Sequence, residues 1–112
     1  MQRDDSIRLR HMLDAAMEAE FFVQNKTKNS LDKDRKLVLA LVKSIEIVGE
    51  AATKVTEKCR KDTPQIPWKN IIGMRNRLIH AYFDINLDVL WKTVVEDLPP
   101  LIAELKKIIE VC

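Results

Sequence analysis

Apolar positions recur along this chain at spacings of three and four, the period of amphipathic helices, and no stretch alternates as a half-buried strand would. From about Asp5 to Val23 the stripe is Leu9, Met12, Leu13, Ala16, Glu20 and Val23, apolar but for Glu20, which predicts a first helix. Polar residues from Asn25 to Asn29 break it, and Ser30 can cap a second. In that second helix Val38, Leu41, Ile45, Val48, Ala52, Val55 and Cys59 alternate steps of three and four without interruption, so the pattern predicts one long helix packed along its length. Gly49 inside it costs about 1 kcal/mol relative to alanine, and its expected use is the close approach of a neighbouring helix.

The segment Asp62-Thr63-Pro64-Gln65-Ile66-Pro67 breaks the pattern, and Pro67 suits the first turn of a third helix running from Trp68 to about Ile79. Ile71, Ile72, Leu78 and Ile79 supply its buried side. Asp84 or Asn86 can cap a fourth, with Leu87, Leu90, Trp91, Val94, Val95 and Leu98 as its apolar positions. Pro99-Pro100 is expected to kink or restart the chain before a last stripe of Leu101, Leu105, Ile108 and Ile109. Short connections between amphipathic helices favour antiparallel neighbours. The expected fold is therefore all-α, an up-and-down bundle of four to five helices, with residues 1–112 forming a single domain.

Composition narrows the functional classes. Hydrophobic residues make up 46% and charged residues 32%, which suits a helical protein with a core and argues against disorder. No apolar run reaches the roughly 18 residues of a membrane span, and the charged N-terminus lacks the apolar region of a signal peptide, so a cytoplasmic location is expected. Cys59 and Cys112 have no ligand-like spacing; neither a zinc site nor a disulfide framework is expected, and Cys59 reads as a core residue.

A net charge of +2 says little, but its distribution is uneven. Between Lys54 and Arg77 seven basic residues face two acidic ones; from Asp84 to Glu104 five acidic residues face only Lys92. A basic surface beside Arg75 could attract a polyanion, although solvated helix faces would give the same counts.

The densest chemistry lies in Arg75-Asn76-Arg77-Leu78-Ile79-His80-Ala81-Tyr82. An arginine can neutralise a phosphate and a histidine can move a proton near neutral pH, so the segment points to a phosphodiester. At about 100° per residue, Arg75 and His80 diverge by roughly 140° on a straight helix. Either the helix ends near His80, letting Tyr82 turn back from the following loop, or the groups meet across two chains. In-line cleavage of RNA by its own 2′-hydroxyl ideally uses a base and an acid, and His80 is the one histidine in a suitable setting. A two-fold homodimer would supply a second His80 and Arg75. Arg77 lies off the Asn76/His80 face and reads as a phosphate or surface contact. Trp68 and Trp91 read as packing residues, and His11 is assigned no role.

These residues carry a resemblance. The run Ile66-Pro67-Trp68, then Ile72-Gly73-Met74 leading into the R-x4-H-x-Y motif, then Ile85, Trp91 and Leu98-Pro99, together with Val48-Gly49-Glu50-Ala51, resembles the HepT-type toxins of the HEPN superfamily. The resemblance implies an HEPN bundle and a dimeric, metal-independent endoribonuclease with no cofactor. It implies that Arg75 and His80 are catalytic in a cleft between protomers, and that Asn76 orients the phosphate or His80. It further implies a nucleotidyltransferase antitoxin as partner, able to transfer AMP to the motif tyrosine, here Tyr82. The alternative is a non-catalytic HEPN module that binds a nucleotide, or docks with and is modified by that same enzyme. The intact Arg75, His80 and Tyr82 favour the ribonuclease, because a docking module has no need of a proton-transfer group.

Overall fold

The computed structural model describes residues 2–81 and 84–111, with the backbone only at His80, Ala81 and Val111. Tyr82 and Cys112 lie outside the described residues. The fold is an all-α bundle framed by three long helical elements: α1 (Arg3–Phe22), α3 (Arg35–Lys54) and the C-terminal α8 (Leu98–Val111). Helix α1 packs along α3 and also against α8, while the short helices lie at the ends and side of this frame.

The inner face of α1 is Leu9, Met12, Leu13, Ala15, Ala16 and Ala19, all buried. Ala19 takes the place that the stripe assigned to Glu20, which is exposed, because the small alanines let α1 and α3 approach over a wider face. Ser30 does not cap α3. It sits in the first turn of a separate short helix, α2 (Lys28–Lys33), where its hydroxyl accepts the Thr27 N–H at 3.1 Å. Asp34 caps α3 instead, accepting the Leu37 N–H at 3.1 Å.

The expected long helix is interrupted. α3 ends at Lys54, Val55 is extended (ψ 136°), and α4 (Glu57–Asp62) begins anew under a Thr56 cap. The cause is a clamp from the other end of the chain. Asp5, itself 2% exposed, accepts the Thr56 N–H at 2.8 Å and the Thr56 hydroxyl at 2.7 Å, while that hydroxyl accepts the Cys59 N–H at 3.2 Å. Arg60 binds the freed carbonyls of Thr53 and Val55 at 3.0 and 3.1 Å. Val55 and Cys59 both stay buried, so the apolar spacing runs across the break and hides it.

The third expected helix is also divided. α5 (Trp68–Ile72) stops at Gly73, and α6 (Met74–Leu78) follows. Trp68 is a packing residue, buried and donating its indole N–H to the Thr63 carbonyl at 3.2 Å. α5 approaches Gly49 of α3, although a Cβ there would meet the Ile71 carbonyl oxygen at an ordinary 3.6 Å.

Beyond α6 the chain forms a small antiparallel pair, β1 (Ile79–Ala81) with β2 (Asp84–Ile85), where the sequence pattern gave no strand. Strands this short cannot show an alternation, and the pair is closed by the Asn86 N–H donating to the Leu78 carbonyl at 2.7 Å. Of the two expected caps, Asn86 is used: its side chain accepts the Val89 N–H at 3.1 Å at the start of α7 (Leu87–Lys92).

Pro99-Pro100 does not interrupt the helical run, which continues from Leu87 to Val111. Both prolines fall in the first turn of α8, directly after a π-helical turn at Thr93–Asp97 in which the Leu98 N–H reaches back to Thr93 O. Prolines cannot donate to the carbonyls four residues before them, and the wider turn accommodates this. The same shift leaves Val95, expected inside, 37% exposed.

Candidate active site

Helix α6 is held down by its two ends. Met74 and Leu78 are 3% and 0% exposed, and the three residues between them, Arg75, Asn76 and Arg77, all face solvent. A helix this short has no stability of its own, so burial of Met74 and Leu78 fixes where the polar triplet points.

The triplet fans out over the helix surface. The Arg75 Nε lies 3.5 Å from Glu46 Oε1 on α3, in a pair that is half exposed on the arginine side. Arg77 turns the other way and donates from Nη1 to the Asn70 carbonyl of α5 at 3.0 Å. Asn76 lies between them, its backbone N–H bound to the Gly73 carbonyl at 3.1 Å and its side chain exposed. An exposed ion pair of this length contributes about 0–1 kcal/mol, so a phosphate can take Arg75 from Glu46 at little cost. Glu46 and Asn70 are contacts that the sequence did not reveal, because each comes from another helix.

His80 is not on the helix. α6 ends at Leu78 and Ile79 is extended, so the divergence of Arg75 and His80 on a straight helix does not arise. Ile79 pairs with Ile85 and Ala81 with Asp84, so β1 advances two residues while β2 advances one. His80 is the extra residue, the centre of a β-bulge. Bulges bend the strand that carries them. Thus Arg75, Asn76 and Arg77 are all exposed, with the two arginines on opposite flanks of α6, and the backbone carrying His80 leaves the end of that helix in a distorted strand.

The acidic run does not form a separate surface. Glu96, Asp97 and Glu104 line a cavity that Arg77 also borders, so the basic segment has an acidic wall on one side. Among the described residues no three His, Cys, Asp or Glu side chains are grouped to hold a metal ion, and no helix is long and apolar enough to cross a membrane.

These features describe a small all-α protein whose exposed Arg75-Asn76-Arg77 turn runs into a bulge at His80. The chain belongs to the HepT-like ribonuclease family, whose model matches residues 12–108. Its relatives include a protein of Caldanaerobacter subterraneus subsp. tengcongensis named as a candidate RNase, 36% identical over 91% of each chain. A protein of Thermococcus cleftensis named as a probable ribonuclease HepT is 41% identical over 67% of this chain and 68% of its own. A candidate RNase of Methanocaldococcus jannaschii is 34% identical over 94% and 96% respectively. No solved structure matches the chain.

Proposed function

We propose that this protein is a metal-independent endoribonuclease toxin, acting as a homodimer in the cytoplasm and restrained by a nucleotidyltransferase antitoxin. The observation that carries the reading is the exposed Arg75-Asn76-Arg77 triplet leading directly into the His80 bulge, in a chain of the HepT-like ribonuclease family.

His80 of one protomer removes the proton of an RNA 2′-hydroxyl, and the oxygen attacks the adjacent phosphorus. His80 of the second protomer gives a proton to the departing 5′-oxygen. Arg75 stabilises the charge that builds on the non-bridging oxygens, a role in which single donors are worth about 10²–10³ in rate. Asn76 orients the phosphate or His80, and Arg77 contacts a neighbouring phosphate. The products are a 2′,3′-cyclic phosphate and a 5′-hydroxyl.

Tyr82 is the site of restraint. The partner enzyme would transfer AMP from ATP to the tyrosine oxygen, with pyrophosphate leaving and the phenolic proton lost to solvent. The added phosphate would compete with RNA for Arg75 and its neighbours, and the adenosine would obstruct the cleft.

The test is cleavage of total RNA in EDTA by unmodified protein, beside His80→Ala and Arg75→Ala proteins whose folding is checked by circular dichroism. Cleavage by the parent alone is the expected result. Equal inertness of all three, with mass spectrometry excluding AMP on Tyr82, would replace the enzyme with the docking module.

A further inference from the structure

The cavity on the Arg77 side of α6 has a volume of about 370 Å³. This is near the lower end of the roughly 300–1,000 Å³ usual for small-molecule sites, a size for one nucleobase with its sugar rather than for a longer segment. Its floor is apolar, made by Ile66, Ile71, Met74 and Leu101, each at most 4% exposed. Pro67 at the start of α5 and Pro100 in the first turn of α8 form part of its walls. Proline rings are rigid apolar surfaces against which a planar base can lie.

The polar groups have one sign in excess. Glu96, Asp97 and Glu104 line the cavity against Arg77. Glu104 shares its charge with Lys107 at 3.5 Å, whereas Glu96 and Asp97 make no ion pair or side-chain hydrogen bond among the described residues. A phosphate is repelled by such a wall. The hydrogen-bond-donating edge of a base is attracted to it.

We propose that this cavity is a base subsite of the RNA-cutting face and that it selects guanine; the inference rests on the ribonuclease reading above. Guanine presents two adjacent donors, N1–H and the N2 amino group, to one carboxylate in the paired geometry that makes such contacts strong. Adenine and cytosine present one amino group beside a ring acceptor, and a carboxylate meets that acceptor with repulsion. The bases of single-stranded RNA expose these edges. Position supports the assignment. Met74 and Arg77 of α6 border the cavity, and Arg75 lies on the far flank of the same short helix, a separation on the order of 10 Å set by the helix diameter. A strand crossing α6 can therefore place one phosphate at Arg75, the next near Arg77, and the base beyond it between the two prolines.

The experiment is a methyl NMR titration of the parent protein and of the Glu96→Gln/Asp97→Asn double variant. The probes are 2′-O-methyl tetranucleotides, which cannot be cleaved, of sequence UGUG, UAUA and UCUC. The expected result is that UGUG shifts the methyl groups of Ile71, Met74 and Leu101 and binds at least about fivefold tighter than the others, the lower end for a paired base contact. The double variant, with an otherwise unchanged spectrum, should lose that preference. Equal affinities in the parent, a preference that survives in the variant, or no shift at those methyl groups would overturn the proposal. So would stronger shifts from an arginine amide than from UGUG, which would make the cavity a slot for a basic segment of a protein partner. Because the probes are not cut, these outcomes stand apart from the RNA cleavage assay, whose failure would remove the ribonuclease reading itself.

Discussion

The α1/α3/α8 frame and the α5–α6 edge are built on opposite terms. In the frame, helices of 20, 20 and 14 residues bury continuous apolar stripes, and Leu9, Leu41, Ile45 and Leu105 are wholly inaccessible. At the edge, two helices of five residues each are separated by Gly73 and followed by a strand of three, and each is anchored by two buried side chains. The frame holds most of the wholly buried side chains, and the edge holds the residues to which the proposed reaction assigns the chemistry. Short elements pinned at both ends can expose three consecutive polar residues and then turn the backbone into a bulge at His80, which one continuous helix cannot do.

If that division is right, substitutions in the two regions should separate stability from activity. His80→Ala should lower RNA cleavage by about 10²–10⁴-fold, the usual worth of a general acid or base, while leaving the urea midpoint close to the parent's. Leu41→Ala should do the reverse, costing about 2–5 kcal/mol in urea unfolding through the cavity it leaves. Equal loss of stability in both would dissolve the distinction.

The Asp5 clamp joins the frame to the break between α3 and α4. Asp5→Ala would strand the Thr56 N–H and hydroxyl, a loss of about 1–3 kcal/mol in chemical denaturation. A smaller loss would mean that water replaces the carboxylate. Gly49→Ala sharpens the comparison from the other side: a Cβ meets the Ile71 carbonyl oxygen at 3.6 Å, ordinary contact, so the variant should gain up to about 1 kcal/mol. A loss instead would show that the frame and α5 fit more tightly than that distance implies. The smallest effect belongs to the exposed pair of Lys28 on α2 with Asp88 on α7, where the hydrogen bond and charge of Asp88 hold the lysine above its ordinary pKa. Any contribution it makes is present below the unfolded lysine's pKa and is lost as pH rises through the raised folded value. Lys28→Ala should leave thermal unfolding at neutral pH unchanged within error.

Legibility followed the same division. The stripes of α1, α3 and α8 were readable because their periods are long enough to stand out from chance. The clamp from Asp5 was not, since it binds a residue 51 positions away and the buried Val55 and Cys59 continue the apolar spacing past the interruption it makes. The π-helical turn before Pro99-Pro100 has no sequence signature, because prolines signal a break without encoding how the preceding turn absorbs it. At the site, the residue types in Arg75 to His80 are those the proposed phosphate chemistry needs. Their placement did not follow, because it depends on α6 stopping at Leu78 and on a bulge in a strand too short to have a pattern.

The amino-acid order by itself determined an all-α bundle, its main apolar faces and a cluster suited to phosphodiester chemistry, because helical period and side-chain chemistry are local properties. Tertiary structure decided where α3 ends, that Glu46 meets Arg75 and Asn70 meets Arg77, and that His80 leaves the helix through a bulge. Those outcomes depend on hydrogen bonds and packing between segments far apart in the chain, and no local period encodes them.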